Sequence, residues 1–334
     1  MSSGAAMPPS AAPVTGLGAG RTGADGSLID PKVLMSIRNL ELRARVVVEG
    51  FWSGLHRSPY HGFSVEFTEY RQYTPGDDPR YLDWRVYARS DRYFVKRFED
   101  ETNLRCHLIV DQSRSMSYGS PGYAKAEYAA TLAATLACFL DLQGDAIGLL
   151  TFDEAVRDYL PPRHRIGHLR RLMLALERPA AGHGTDLTAP LARVTELVRK
   201  RGLVVLISDF LAPLERLAPA LTQLCARGHE VAVFHLQDPA EVTFPFREPA
   251  QFEDVESGTT LTLDPVTART EYQRRVTGHV SAVQQLCERL GASHARLATD
   301  QALEFALFDF LRRRLQRKRL RRRPAQRFGP QPRA

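Results

Sequence analysis

Cysteine is scarce in this 334-residue chain. The four that occur, Cys106, Cys138, Cys225 and Cys287, lie far apart inside apolar segments. That spacing excludes the close pairs of a zinc site or of a small disulfide framework, and the residues read as buried free thiols in a reducing compartment. Long apolar runs are also missing. The longest, residues 129–140, is interrupted by Thr131 and Thr135 and falls well short of the roughly 20 residues needed to cross a bilayer. The opening MSSGAAMPPSAAPVTGLGAG has neither a basic start nor a compact apolar stretch, so it reads as an Ala/Gly/Pro/Ser tail without fixed structure rather than a signal peptide. The expected location is the cytoplasm. No repeat of solenoid length is visible, and no Gly-x-x-x-x-Gly-Lys-Ser/Thr loop that would cradle a nucleotide occurs.

What is present is ample apolar material, 43% of the residues, enough for one large core. The formal charge of +7 is local: nine Arg or Lys and no acid lie between Arg312 and Arg323, which turns the remainder to −2. Any question of a polyanionic partner therefore concerns the C-terminal stretch alone. That stretch has no interleaved aromatic residues and reads as a solvated tail, with nucleic acid or an anionic membrane surface as the alternative partner.

From Leu104 onward, apolar runs of strand length alternate with stretches of helical period, the pattern of a parallel sheet covered by helices. Strands are expected at 104–110, 146–151, 203–208 and 230–236, with a short extra one at 155–160 and a last one at 295–298. Helices are expected at 123–142, 166–176, 187–200, 214–227, 265–290 and 301–316. The runs lack polar alternation, so both faces of the sheet should be buried. The predicted fold class is α/β, a doubly wound, mainly parallel sheet of Rossmann type, with a smaller N-terminal β-rich lobe. Four regions follow: a tail over 1–30, a helix (31–47) and β-rich lobe within 31–103, the α/β domain over 104–311, and a basic tail over 312–334.

The first strand of the domain ends in LRCHLIVDQSRSMS, which puts Asp111, Ser113 and Ser115 in the loop at its carboxyl end, where open α/β sheets bind ligands. A carboxylate and two hydroxyls at alternate positions suit a hard cation, which takes oxygen ligands and keeps some waters. Two further oxygen donors stand where other loops converge. Thr185 sits in the glycine-flanked turn Gly-His-Gly-Thr-Asp before a helix, and Asp209 ends a second buried strand. In a sheet ordered 3-2-1-4-5 the strands leading to Asp111 and Asp209 are neighbours on either side of the switch point.

These five residues, Asp111, Ser113, Ser115, Thr185 and Asp209, resemble the metal-ion-dependent adhesion site of von Willebrand factor A domains. The resemblance implies a bound Mg2+, or Mn2+ or Ca2+ in its place, with one coordination position left for an acidic residue of a partner protein. The preceding segment GFSVEFTEYRQYTPGDDPRYLDWRVYARSDRYFVKRFEDE, above all Glu69-Tyr70-Arg71-x-Tyr73-x-Pro75-Gly76-Asp77-Asp78, Asp83-Trp84 and Ala88-Arg89, is similar to the bacterial family called domain of unknown function 58. That family joins such a segment to an A-like domain, and Asp238-Pro239 also fits its layout. The resemblance implies a non-enzymatic adaptor or chaperone-like partner of a MoxR-type AAA+ ATPase, acting on a client protein, with the ATPase on another polypeptide. Many relatives carry membrane helices ahead of this segment, which this sequence lacks. A metal-dependent hydrolase using the same crevice, with His183 or His107 as base, is the competing expectation.

Overall fold

The structure, a computed structural model, describes residues 28–57, 69–72, 94–97, 104–179, 188–253 and 258–322. Two helices come first, α1 (Pro31–Ser36) and α2 (Leu40–Arg57). The sequence reading expected one helix over 31–47. The break falls at residues 37–39, where the side chain of Asn39 accepts the Leu42 N–H at 2.8 Å and so starts a new helix. Strands β1 (Glu69–Gln72) and β2 (Phe94–Arg97) pair antiparallel. They are the described part of the expected β-rich lobe.

The rest of the described chain alternates strand and helix: β3 (Arg105–Asp111), α3 (Lys125–Leu142), β4 (Ala146–Phe152), β5 (Val156–Arg163), α4 (His168–Leu176), α5 (Thr188–Leu197), β6 (Leu203–Ser208), α6 (Leu214–Ala226), β7 (Glu230–Gln237) and the short α7 (Pro239–Thr243). A hairpin, β8 (Ala250–Glu253) and β9 (Thr260–Leu263), follows, then α8 (Pro265–Arg289), β10 (Ser293–Ala298) and α9 (Leu303–Arg322). Neither the hairpin nor α7 was anticipated from apolar periodicity, since both are short and the hairpin strands are largely exposed.

The six-stranded sheet runs β10-β7-β6-β3-β4-β5, parallel except for the edge strand β5. This is the doubly wound order expected from the sequence, with its switch point between β3 and β6. Side chains of a strand point alternately to its two faces, and here each face has its own core. Leu108, Val110, Val205 and Ile207 face one layer with α2, α3, α4 and α9. Ile109, Val204, Leu206 and Val233 face the other with α5, α6 and α8.

The Ala/Leu-rich α3 is the central helix of the first layer, buried from Tyr128 to Leu140 except at Ala130. Its two threonines are accommodated by returning their hydroxyls to the carbonyls one turn back, Thr131 to Glu127 and Thr135 to Thr131, each at 2.8 Å. The layer joins the two ends of the described chain. Phe51 of α2 is fully buried between Phe139 of α3, at a ring separation of 5.9 Å, and Phe308 of α9, at 4.5 Å. Beside them the Ile29 N–H donates to Glu304 Oε1 at 3.2 Å. Three of the cysteines are buried and Cys225 is half-buried. No described helix is long and apolar enough to cross a membrane.

Candidate metal centre

Strand β3 delivers Asp111 to the carboxyl edge of the sheet, fully buried. One carboxylate oxygen, Oδ1, accepts the Ser113 N–H at 2.8 Å, which folds the chain back over the strand end. Residues Arg114–Ser117 then make a single 3-10 turn, and this turn brings the Ser113 and Ser115 hydroxyls to 3.1 Å from each other. Both serines are buried. The other oxygen, Oδ2, accepts the Ser208 hydroxyl from the end of the neighbouring strand β6 at 2.5 Å. Asp209 follows directly, almost fully buried. The anticipated convergence of Asp111, Ser113, Ser115 and Asp209 on one edge is therefore present. Thr185 and His183 lie outside the described residues.

Phe210, next after Asp209, takes the left-handed conformation at φ 51°, unusual for a bulky residue. Three contacts hold it there. Its N–H donates to Ser208 Oγ at 2.9 Å, its carbonyl lies 2.6 Å from His279 Nε2 of α8, and its ring meets His235 edge-on at 5.4 Å. His235 is buried beside His294, 3.3 Å away. Burial first, then the neighbouring His294, pushes the His235 imidazole down to about 3, so it stands neutral.

The sequence reading missed Lys125. This first residue of α3 is completely buried, and its Nζ donates to Asp209 Oδ2 at 2.8 Å and to Glu241 Oε1 of α7. Glu241 in turn accepts the Asp238 N–H on Oε2 at 2.9 Å, while Asp238 Oδ1 accepts the Ala240 N–H at 2.8 Å, the reciprocal pattern of a capping box. The remaining oxygen of Asp238 accepts the Ser120 N–H at 2.7 Å. One bonded chain thus runs from β6 through α3 and α7 to the loop that follows Ser113 and Ser115. That loop is tightly closed: a Cβ on Gly119 would stand 1.9 Å from the Tyr123 carbonyl oxygen, so only glycine fits.

The electrostatics follow from burial. The Asp111 carboxyl is held well above the usual carboxylate range by desolvation and then by the charge of Asp209, against the opposing bonds from Ser208 and Ser113. Burial alone would lower the Lys125 ammonium, but the charges of Asp209 and Glu241 outweigh it and hold the group above its ordinary value. Two carboxylates, Asp209 and Glu241, therefore share a single buried lysine, and Asp111 has no cation of its own among these contacts. Among the described residues no group of three or more His, Cys, Asp or Glu side chains could hold a metal. The donors gathered here are instead two carboxylates and two hydroxyls. This all-oxygen set fits a hard divalent cation, which would relieve the repulsion raising Asp111.

The other expected base, His107, is buried inside β3 and its imidazole is pushed down to about 4, by desolvation first. It precedes Asp111 by four residues, about 13 Å along a strand, too far to act on a group at the loop.

The family described as "Protein of unknown function DUF58" matches residues 69–282. An uncharacterized protein of Mycobacterium tuberculosis is 31% identical over 282 residues, covering 83% of this chain and 88% of that protein. Among solved structures, the conserved hypothetical protein BatB from Bacteroides thetaiotaomicron superposes with a TM-score of 0.43 at 15% identity, covering 64% of this chain and 99% of that one. The SpRpn10 VWA domain does so with a TM-score of 0.36 at 11% identity, covering 61% and 93%.

Proposed function

This chain belongs to the family of proteins of unknown function DUF58, and from that premise we propose that it is a non-enzymatic protein-interaction module built around a divalent cation, normally Mg2+. The residues that would hold the ion are Asp111, Ser113, Ser115 and Asp209, with Thr185 as the fifth. When bound, the cation would offer a coordination position to a carboxylate of a partner protein. Ser208 and the Ser113 N–H orient Asp111 for this task, each fixing one carboxylate oxygen. The 3-10 turn sets the two serine hydroxyls side by side.

The observation that carries the reading is the burial of Asp111 and Asp209 on adjacent strand ends, where desolvation first and then the charge of Asp209 raise the proton affinity of Asp111. Buried carboxylates in such a crevice need a compensating positive charge, and the hydroxyls beside them are ligands suited to a hard ion. The partner side of the proposal, an adaptor or chaperone-like role beside a MoxR-type AAA+ ATPase and a client protein, rests on the family resemblance of residues 69–89.

Thermal unfolding in saturating Mg2+ and in EDTA tests the cation. A higher melting temperature with Mg2+ in the wild type, lost in Asp111→Ala, is expected. Equal melting temperatures in the wild type would overturn the reading. Co-purification with a MoxR-type ATPase in Mg2+ but not in EDTA tests the partner.

A further inference from the structure

Lysine is almost never fully buried unless paired, and at Lys125 the pairing is with the metal centre itself. Its Nζ takes Asp209 Oδ2, one of two oxygens that Asp209 can offer a cation, at 2.8 Å. The second partner, Glu241, lies on α7, outside the proposed ligand set, and is fixed from behind by the Asp238 N–H. The Tyr118 ring, 6.0 Å from Nζ, adds a face that favours a cation.

We infer that Lys125 is a positioning residue that competes with the divalent cation for the Asp209 carboxylate, with Glu241 as the seat that keeps the ammonium when the cation takes Asp209. The inference rests on the metal-site reading above. A monovalent charge in contact with a ligand oxygen repels an incoming divalent ion, and that oxygen cannot serve both fully. The lysine stem turns about four bonds, so the ammonium can lean onto Glu241 without leaving the interior. Because Asp238 joins Glu241 to Ser120, the exchange is mechanically tied to the loop that carries Ser113 and Ser115. Lys125 thereby weakens cation binding while compensating Asp209 before the ion arrives. Such a centre would exchange its ion more readily than a closed structural site.

The test is Mn2+ titration, followed by electron paramagnetic resonance and calorimetry, of the full chain as wild type, Lys125→Met, Lys125→Met with Glu241→Gln, and Asp111→Ala. The double variant removes one charge of each sign and leaves no uncompensated Glu241, so it answers the question even where the single variant fails to fold. Tightening of Mn2+ binding by about tenfold or more in the lysine variants is expected. A lysine that only supports the fold would leave affinity unchanged or weaken it. Either result in folded protein, with Asp111→Ala abolishing Mn2+ binding, would overturn the inference and leave the metal centre standing. Uptake by the lysine variants but not by the wild type would support the competition. No uptake by any of them would overturn both.

Discussion

Ser208 and Asp111 stand at the ends of adjacent parallel strands and share a hydrogen bond of 2.5 Å between Oγ and Oδ2. Ser208 also receives the Phe210 N–H on the same hydroxyl. One small side chain therefore ties the strained residue after Asp209 to the carboxylate of the other strand.

Replacing Ser208 with Ala strips a partner from a buried carboxylate and from a buried backbone N–H at once. A loss of about 1–3 kcal/mol is expected, visible as a lower urea midpoint with an unchanged slope. The variant's cation-induced rise in melting temperature should also shrink, because Asp111 loses its orientation. A variant with wild-type stability would show that this bond has no energetic role.

The cation-free protein should have two opposing pH dependences. The unfolded carboxyl of Asp111 titrates near pH 4, but its folded value is raised, so its contribution to stability is present at low pH and is lost as pH rises through that window. His107 behaves oppositely. Its folded value, about 4, lies below the roughly 6.5 of an unfolded histidine, so its contribution is lost as pH falls through that interval. In EDTA, Asp111→Asn should tilt the stability profile between about pH 4 and 6.5 upward with pH, and His107→Val should tilt it downward. Urea midpoints across that range check both signs; tilts of the same sense would refute the assignment.

Phe51→Ala should destabilise the protein by about 3–5 kcal/mol, since the ring fills a fully buried position against Phe139 and Phe308. The measurement is denaturant unfolding monitored by circular dichroism. A loss well below 1 kcal/mol would mean that α2 is only loosely seated on the α/β core.

The sheet was readable because its strands are continuous apolar runs separated by helical periods, and the order of those runs fixes which strand ends adjoin. Asp111 and Asp209 could be placed for that reason, and Ser113 and Ser115 because they follow a strand end at alternate positions. Lys125 could not. In the sequence it is one lysine near the start of an Ala-rich helix, and its burial depends on Glu241, 116 residues away. Asp238 and Glu241 stand three positions apart, the spacing of a capping box, yet only the third dimension turns Glu241 toward Lys125. Ser208 escaped notice because a serine at a strand end carries no pattern of its own. The break between α1 and α2 had a signal in Asn39, a favoured first-turn cap, that apolar periodicity overrode.

The contact between Ile29 and Glu304 spans 275 positions, and the Phe51–Phe308 contact repeats the closure. On the ribosome, α2 emerges early, and its buried face, formed by Leu40, Ala44, Val47, Val48 and Phe51, can pack on α3 through Phe139 well before α9 completes the layer. Until α9 follows, that side of the sheet lacks the last part of its cover. Synthesis time thus becomes a period of partial exposure, which ends only when the far end of the chain brings Phe308 onto Phe51.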